Sequence, residues 1–347
     1  MANTTVYPFG VSGVLPESIE QRFAQIEQEL EELEERPAVQ LSLELSFERL
    51  GKIWDNTQAG DTTVYSPCII KPVHANPLGK YYMYYSYDHG GDSGTNVGIK
   101  LAYSDDLLNW TKYGTVLKAK TQFNLGSDKE TETPWVVWDA KNSRYLMYWH
   151  SSYNNGDGPS YAQITYISYS TDGIDWTYIK PAITTPLSHI VGNGHDGYFK
   201  AFVENGVFYG YSLLGGADDW FEGEYVSTDG LNFVVSQASN PVIHSEGYRF
   251  CALGRYFCIK NIGQDSSGDT PKIANLGIQE CLADYRTPVG DCVVFVQMNP
   301  SLGESTDIRA ISGLIDDGTI YIVYNCKTTS PAATSFFLGK LTIKTED

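Results

Sequence analysis

The sequence predicts an all-β protein: a five-bladed β-propeller preceded by a short N-terminal α-helical coiled-coil stalk. Three observations carry this reading. A short phrase recurs with a period of about 60 residues. Strand-like segments recur upstream of each copy, and a heptad-spaced apolar seam lies near the N-terminus. The phrase is clearest at 167–176, Ile-Ser-Tyr-Ser-Thr-Asp-Gly-Ile-Asp-Trp, an alternating strand that runs into an Asp-Gly turn and stops at a tryptophan. It returns at 101–110 with Ser104, Asp106 and Trp110, and at 225–233 with Ser227, Asp229, Gly230 and Phe233.

In chain order, residues 1–16 hold prolines and glycines with no helical period, and read as an extended attachment arm. Ser18-Ile19-Glu20-Gln21 is a capping box that opens a helix over 17–37. Ile19, Phe23, Ile26, Leu30 and Leu33 follow at a/d spacing, and Pro37 ends the run. This stripe either packs on the side of the propeller or forms an oligomerisation stalk. Its narrowness and its polar flanks favour the stalk, with a homotrimer as the expected assembly.

The propeller is expected over 39–347. Copy one holds 66–70 and 80–85, copy two 133–137 and 144–149, and copy three 196–200 and 207–211. A weaker fourth copy runs through 247–250, 255–260 and 278–282, and a fifth through 308–314, 319–324 and 336–341. Each copy holds three strands rich in aromatic and β-branched residues, then a turn and a fourth strand, which is the make-up of a propeller blade. No fourth strand follows the fifth copy. Leu43–Ile53 has no copy of its own, resembles 110–117, and is expected to close the ring as that missing strand.

A formal net charge of −18 argues against nucleic acid as a partner. No run reaches the ~18 apolar residues of a membrane-inserted helix, and residues 1–15 lack the basic and apolar regions of a signal peptide. The six cysteines form no Cys-x-x-Cys pair and read as free thiols, most of them in strands. His150, His189 and His195 lack a metal-ligand spacing, so no metal or cofactor is assigned, although a structural cation in the axial channel is conceivable.

The first strand of every propeller blade borders the axis, so its opening residues converge on one mouth. The repeat alignment places there Ser66, Thr133 with Glu132 before it, His195 and Asp196, Glu246, and Asp307. Several carboxylates around one pocket suit glycoside hydrolysis, in which one protonates the leaving oxygen and another activates water or attacks the anomeric carbon. The alternative is that they cap strand ends. Trp149, Trp220 and Tyr248, at loop ends, are candidate platforms for sugar rings, as are Trp135 and Phe221, although Trp135 also reads as inter-blade filling.

The phrases at 80–85, 144–148 and 170–176 resemble the five-bladed propellers of the glycoside hydrolase clan that contains arabinanases, xylosidases and β-fructosidases. The resemblance implies an Asp base opening blade one, a second Asp in blade three and a Glu acid in the next blade. Asp196 and Glu246 match the last two and are the candidate catalytic pair. Ser66-Pro67 stands where the family has Asp-Pro, which leaves Asp61 or Glu132 as the next candidate base. The opening 5–16 is similar to bacteriophage and mobile-element fibre proteins, particularly those of gut Bacteroidetes. The expectation is therefore a virion appendage, a tail-fibre or receptor-binding protein. Its arm would bind other virion proteins and its head a host surface glycan or polysaccharide. An active glycosidase and a purely structural virion protein are the alternatives.

Overall fold

The computed structural model describes residues 43–88, 97–125, 131–152, 163–182, 195–215, 220–239, 247–262, 275–282, 285, 287–304, 307–327 and 334–345, together with 21, 24 and 28. Gln21, Ala24 and Gln28 are helical, while the arm and the apolar seam expected before residue 38 lie outside the described residues.

Five four-stranded antiparallel blades form the molecule. Blade one is β2 (Thr63–Ile70), β3 (Tyr81–Asp88), β4 (Gly98–Ser104) and β5 (Thr111–Leu117). Blade two is β6 (Glu132–Asp139), β7 (Arg144–Ser152), β8 (Gln163–Ser170) and β9 (Thr177–Pro181). Blade three is β10 (His195–Glu204), β11 (Val207–Gly215), β12 (Trp220–Ser227) and β13 (Val234–Ser239). Blade four, the weak copy, is complete: β14 (Tyr248–Ala252), β15 (Arg255–Ile262), β16 (Asn275–Cys281) and β17 (Val293–Gln297). Blade five is β18 (Asp307–Asp316), β19 (Thr319–Lys327) and β20 (Thr334–Thr345), and its outer strand is β1 (Leu43–Asp55).

The expected closure is thus observed. β1 pairs antiparallel with β20 from Leu43–Thr345 to Asp55–Ser335. Trp54 and Ile53 are buried among residues of blades five and one. Arg49 reaches the buried Glu304 carboxylate at 2.8 Å, and Tyr324 donates to the same carboxylate at 2.7 Å.

The recurring phrase does two jobs. In all three copies the serine hydroxyl donates to the aspartate two residues on, and the aspartate accepts backbone N–H groups from the following turn. These backbone bonds help hold Asp106, Asp172 and Asp229 below the usual carboxylate range, against desolvation. The turn also locks onto the preceding blade. Tyr84 donates to the Gly173 carbonyl at 2.7 Å and packs on Trp176, while Tyr148 donates to the Gly230 carbonyl at 2.9 Å and packs on Phe233. The left-handed Gly173 is required: an added Cβ would lie 2.6 Å from the Tyr84 hydroxyl.

The core is consequently a set of seams rather than one centre. One cluster spans blades one to three, another blades four and five, and a third blades five and one. None of the six cysteines is in a disulfide; Cys68 and Cys326 are buried in these seams, Cys258 and Cys281 are also buried, and Cys251 is exposed.

Candidate functional site

Pairing of the innermost strands with their neighbours fixes which residues are equivalent around the axis. Tyr65 pairs with Ser86 and Cys68 with Tyr84; Glu132 with His150 and Trp135 with Tyr148. In blade three Gly197 pairs with Leu213 and Lys200 with Tyr211, and in blade five Ile308 pairs with Cys326 and Ile311 with Tyr324. Each pairing skips two residues, a bulge that bends the strand into the mouth. The first skipped residue is left-handed in three blades: Ser66 (φ 51°), Thr133 (φ 53°) and Tyr198 (φ 55°). Non-glycine residues rarely hold this conformation, and a repeat of it on three blades marks a constrained site.

This register corrects one expectation. The blade-three equivalent of Ser66 and Thr133 is Tyr198, whereas Asp196 lies two residues upstream. A bulge interrupts the alternation of faces, so the offset turns the Asp196 side chain away from the mouth. It is buried at the seam of blades two and three. Ser212 Oγ donates to its carboxylate at 3.0 Å, with Tyr225 Oη 3.1 Å behind, and Thr165 Oγ1 of blade two donates to its carbonyl. Burial pushes the Asp196 carboxyl up to about 7, against the Ser212 hydrogen bond.

Ser66, Thr133, Tyr198 and Ala310 line the axis around a cavity of about 20 Å³, room for one water. Beside them, His150 is buried. The Tyr198 backbone N–H donates to His150 Nδ1 at 3.3 Å, which makes that nitrogen the acceptor; Thr133 Oγ1 lies 2.7 Å from it. This assigns the proton to Nε2, which faces Glu132 Oε1 at 3.6 Å. Glu132 is the carboxylate that the described residues bring to the rim of the mouth, its side chain 17% exposed.

One level deeper, the axis is plugged. Lys200 Nζ donates to the carbonyls of Gly247 and Ile311, at 2.7 and 2.9 Å, and lies 4.9 Å from the Trp135 ring centre. The chain itself thus supplies a positive charge on the axis, tied to blades two, four and five. Trp135 is buried and donates Nε1–H to the Ala201 carbonyl, so it fills the axis as the inter-blade alternative had it.

The remaining candidates fall elsewhere. Trp149 is buried and stacks on Tyr166 at 4.8 Å, with Nε1 donating to Ser168, so it is core and offers sugar no face. The Asp61 side chain is fully buried in an ion pair with Lys100 on β4, engaged away from the axis, and so does not serve as a base at the mouth. Tyr248 borders a separate cavity at the opposite end of the axis. His195 and Asp307 are the first residues of β10 and β18, and Trp220 opens β12; their side chains, and Glu246 entirely, lie outside the described residues. Tyr198 and Lys200 were not anticipated. The available signal was a lysine interrupting the apolar run of an innermost strand, where blade one has Cys68 and blade two Trp135.

No protein-family model matches the chain, and no curated protein does. Solved structures match its fold. A thermostable family-43 glycoside hydrolase is 15% identical with a TM-score of 0.56, over 82% of this chain and 93% of that one. A family 117 glycoside hydrolase from the marine bacterium Zobellia galactanivorans is 14% identical with a TM-score of 0.57, over 87% and 91%. Sucrose-6-phosphate hydrolase from Lactobacillus gasseri is 14% identical with a TM-score of 0.58, over 92% of this chain and 63% of that one. The fold is therefore a glycoside hydrolase-like propeller.

Proposed function

We propose that this protein recognises glycans at the axial mouth and turns them over slowly or not at all. One observation carries the reading. The position that the fold repeats on three consecutive blades holds Ser66, Thr133 and Tyr198, two hydroxyls and a phenol ring, where a hydrolase of this architecture would concentrate carboxylates. Hydroxyls and a ring face recognise sugar hydroxyls and C–H surfaces, and no strong base is among them.

The finer reading is a receptor-binding head of a phage appendage, with residues 1–16 as the arm and 17–37 as a trimeric stalk. Strand directions support it. Innermost strands start at the mouth, so β1 begins with Leu43 at the opposite face, where β20 also ends. A head held from residues 1–42 would point its mouth outward.

Hydrolysis is the second reading, favoured by Glu132 at the rim, backed by His150. A glycan array followed by a reducing-sugar assay on every hit separates the two. Tyr198→Gly is the informative variant, because glycine accepts the left-handed backbone while removing the ring. Loss of binding with an unchanged melting temperature is the expected result. Robust sugar release that Glu132→Gln abolishes would establish the hydrolase instead.

A further inference from the structure

Beyond the Lys200 plug the axis opens again. All five innermost strands line a second cavity of about 350 Å³ at the face opposite the mouth. That volume lies in the range of small-molecule sites. Its walls mix aliphatic and aromatic side chains: Phe202 and Tyr285 stand 4.2 Å apart by ring centres, and Tyr248 stacks on Phe250 at 5.4 Å.

Two charged side chains belong to this wall. Glu204 is half-buried. Arg249 is 3% exposed, lies 4.1 Å from the Tyr211 ring, and pairs with Glu222 and with Glu224 Oε1 at 3.1 Å. These two glutamates occupy third-strand positions that are Ile99 and Leu101 in blade one, so the ion cluster replaces core. Arg249 Nε is buried with no hydrogen-bond partner among the described residues. A buried guanidinium N–H left unmatched is costly, and a ligand acceptor would relieve it.

We infer that this cavity is a second binding site, for one neutral sugar ring. An anion is disfavoured because Glu222, Glu224 and Glu204 outnumber the two cations nearby, Arg249 and the Lys200 of the plug. A purely apolar ring would desolvate the half-buried Glu204 and would leave Arg249 Nε as unmatched as before. A pyranose supplies hydroxyl donors for the carboxylate, oxygen acceptors for the guanidinium and C–H faces for Phe202 and Tyr248. This site stands on its own residues and not on the reading of the mouth.

Cys251, exposed at the cavity wall, gives a local readout. Its alkylation by iodoacetamide would be followed in the full chain by peptide mass spectrometry, with millimolar glucose, galactose, mannose or N-acetylglucosamine. At least one sugar should slow Cys251 several-fold and leave the half-buried Cys292 unchanged. The isosteric Glu204→Gln should raise the protecting concentration about tenfold, as for loss of a charged hydrogen bond, and Phe202→Leu should raise it as well. Tyr198→Gly, at the mouth, should leave the protection in place. Absence of protection by all four sugars would overturn the inference, as would protection indifferent to both cavity variants, or protection that Tyr198→Gly removes.

Discussion

Removing β1 should cost the molecule most of its stability, and the contacts allow the size of the effect to be worked out. Chains beginning at Val39 and at Asp55 differ by the strand that closes blade five. The shorter chain loses Trp54, 1% exposed and edge-on to Tyr85 at 5.9 Å. Emptying such a site costs about 3–5 kcal/mol. It also loses Arg49, which leaves the 1% exposed Glu304 carboxylate with Tyr324 and the Asn299 N–H but no cation. Stranding a buried charge in this way costs about 3–5 kcal/mol more. The β20 backbone would also become a bare edge. Together these approach the whole net stability of about 5–15 kcal/mol that a folded domain has. Urea unfolding followed by tryptophan fluorescence should give the chain from Val39 a cooperative transition and the chain from Asp55 little or none. Equal midpoints for the two chains would refute the closure argument.

Three further outcomes are expected. Asp196 holds its proton more tightly folded than unfolded, so its contribution to stability is full below pH 4 and is lost as pH rises through about 7; Asp196→Asn should flatten the fall of melting temperature between pH 4 and 8, and an unchanged slope would show that the carboxyl is not the cause. Gly173→Ala should destabilise by about 1–3 kcal/mol through its left-handed backbone and the Tyr84 hydroxyl, while Tyr84→Phe should cost about 1 kcal/mol; denaturant midpoints test both, and a neutral Gly173→Ala would remove the latch. A chain lacking residues 1–38 should be a folded monomer by light scattering, and retention of the parent's oligomeric state would rule out the stalk as its cause.

The candidate site divides along a physical line. Ser66, Thr133 and Glu132 were legible in the sequence because Ser66-Pro67 and Thr133-Pro134 repeat at the same height in two blades. In blade three no proline marks the bulge, and the aspartate that looked equivalent belongs to the seam. Spacing between matched residues is blind to a bulge, which appears only when the strand is paired with its neighbour.

What the sequence determined by itself was everything written in local periodicity. The blade count, the Ser-x-Asp turns and the need for Leu43–Ile53 to complete the last blade all follow from alternation and turn chemistry within a few residues. What only the tertiary structure decided depends on residues from different blades meeting. Tyr84 looks like one aromatic among many until Gly173 of the next blade is set against its hydroxyl. Lys200 looks like a misplaced charge until the carbonyls of Gly247 and Ile311 and the Trp135 ring surround it. Glu222 and Glu224 look solvent-facing until Arg249 arrives from blade four. A buried charge is stable only through partners brought to it by the closed ring, and no stretch of sequence records which blade will supply them.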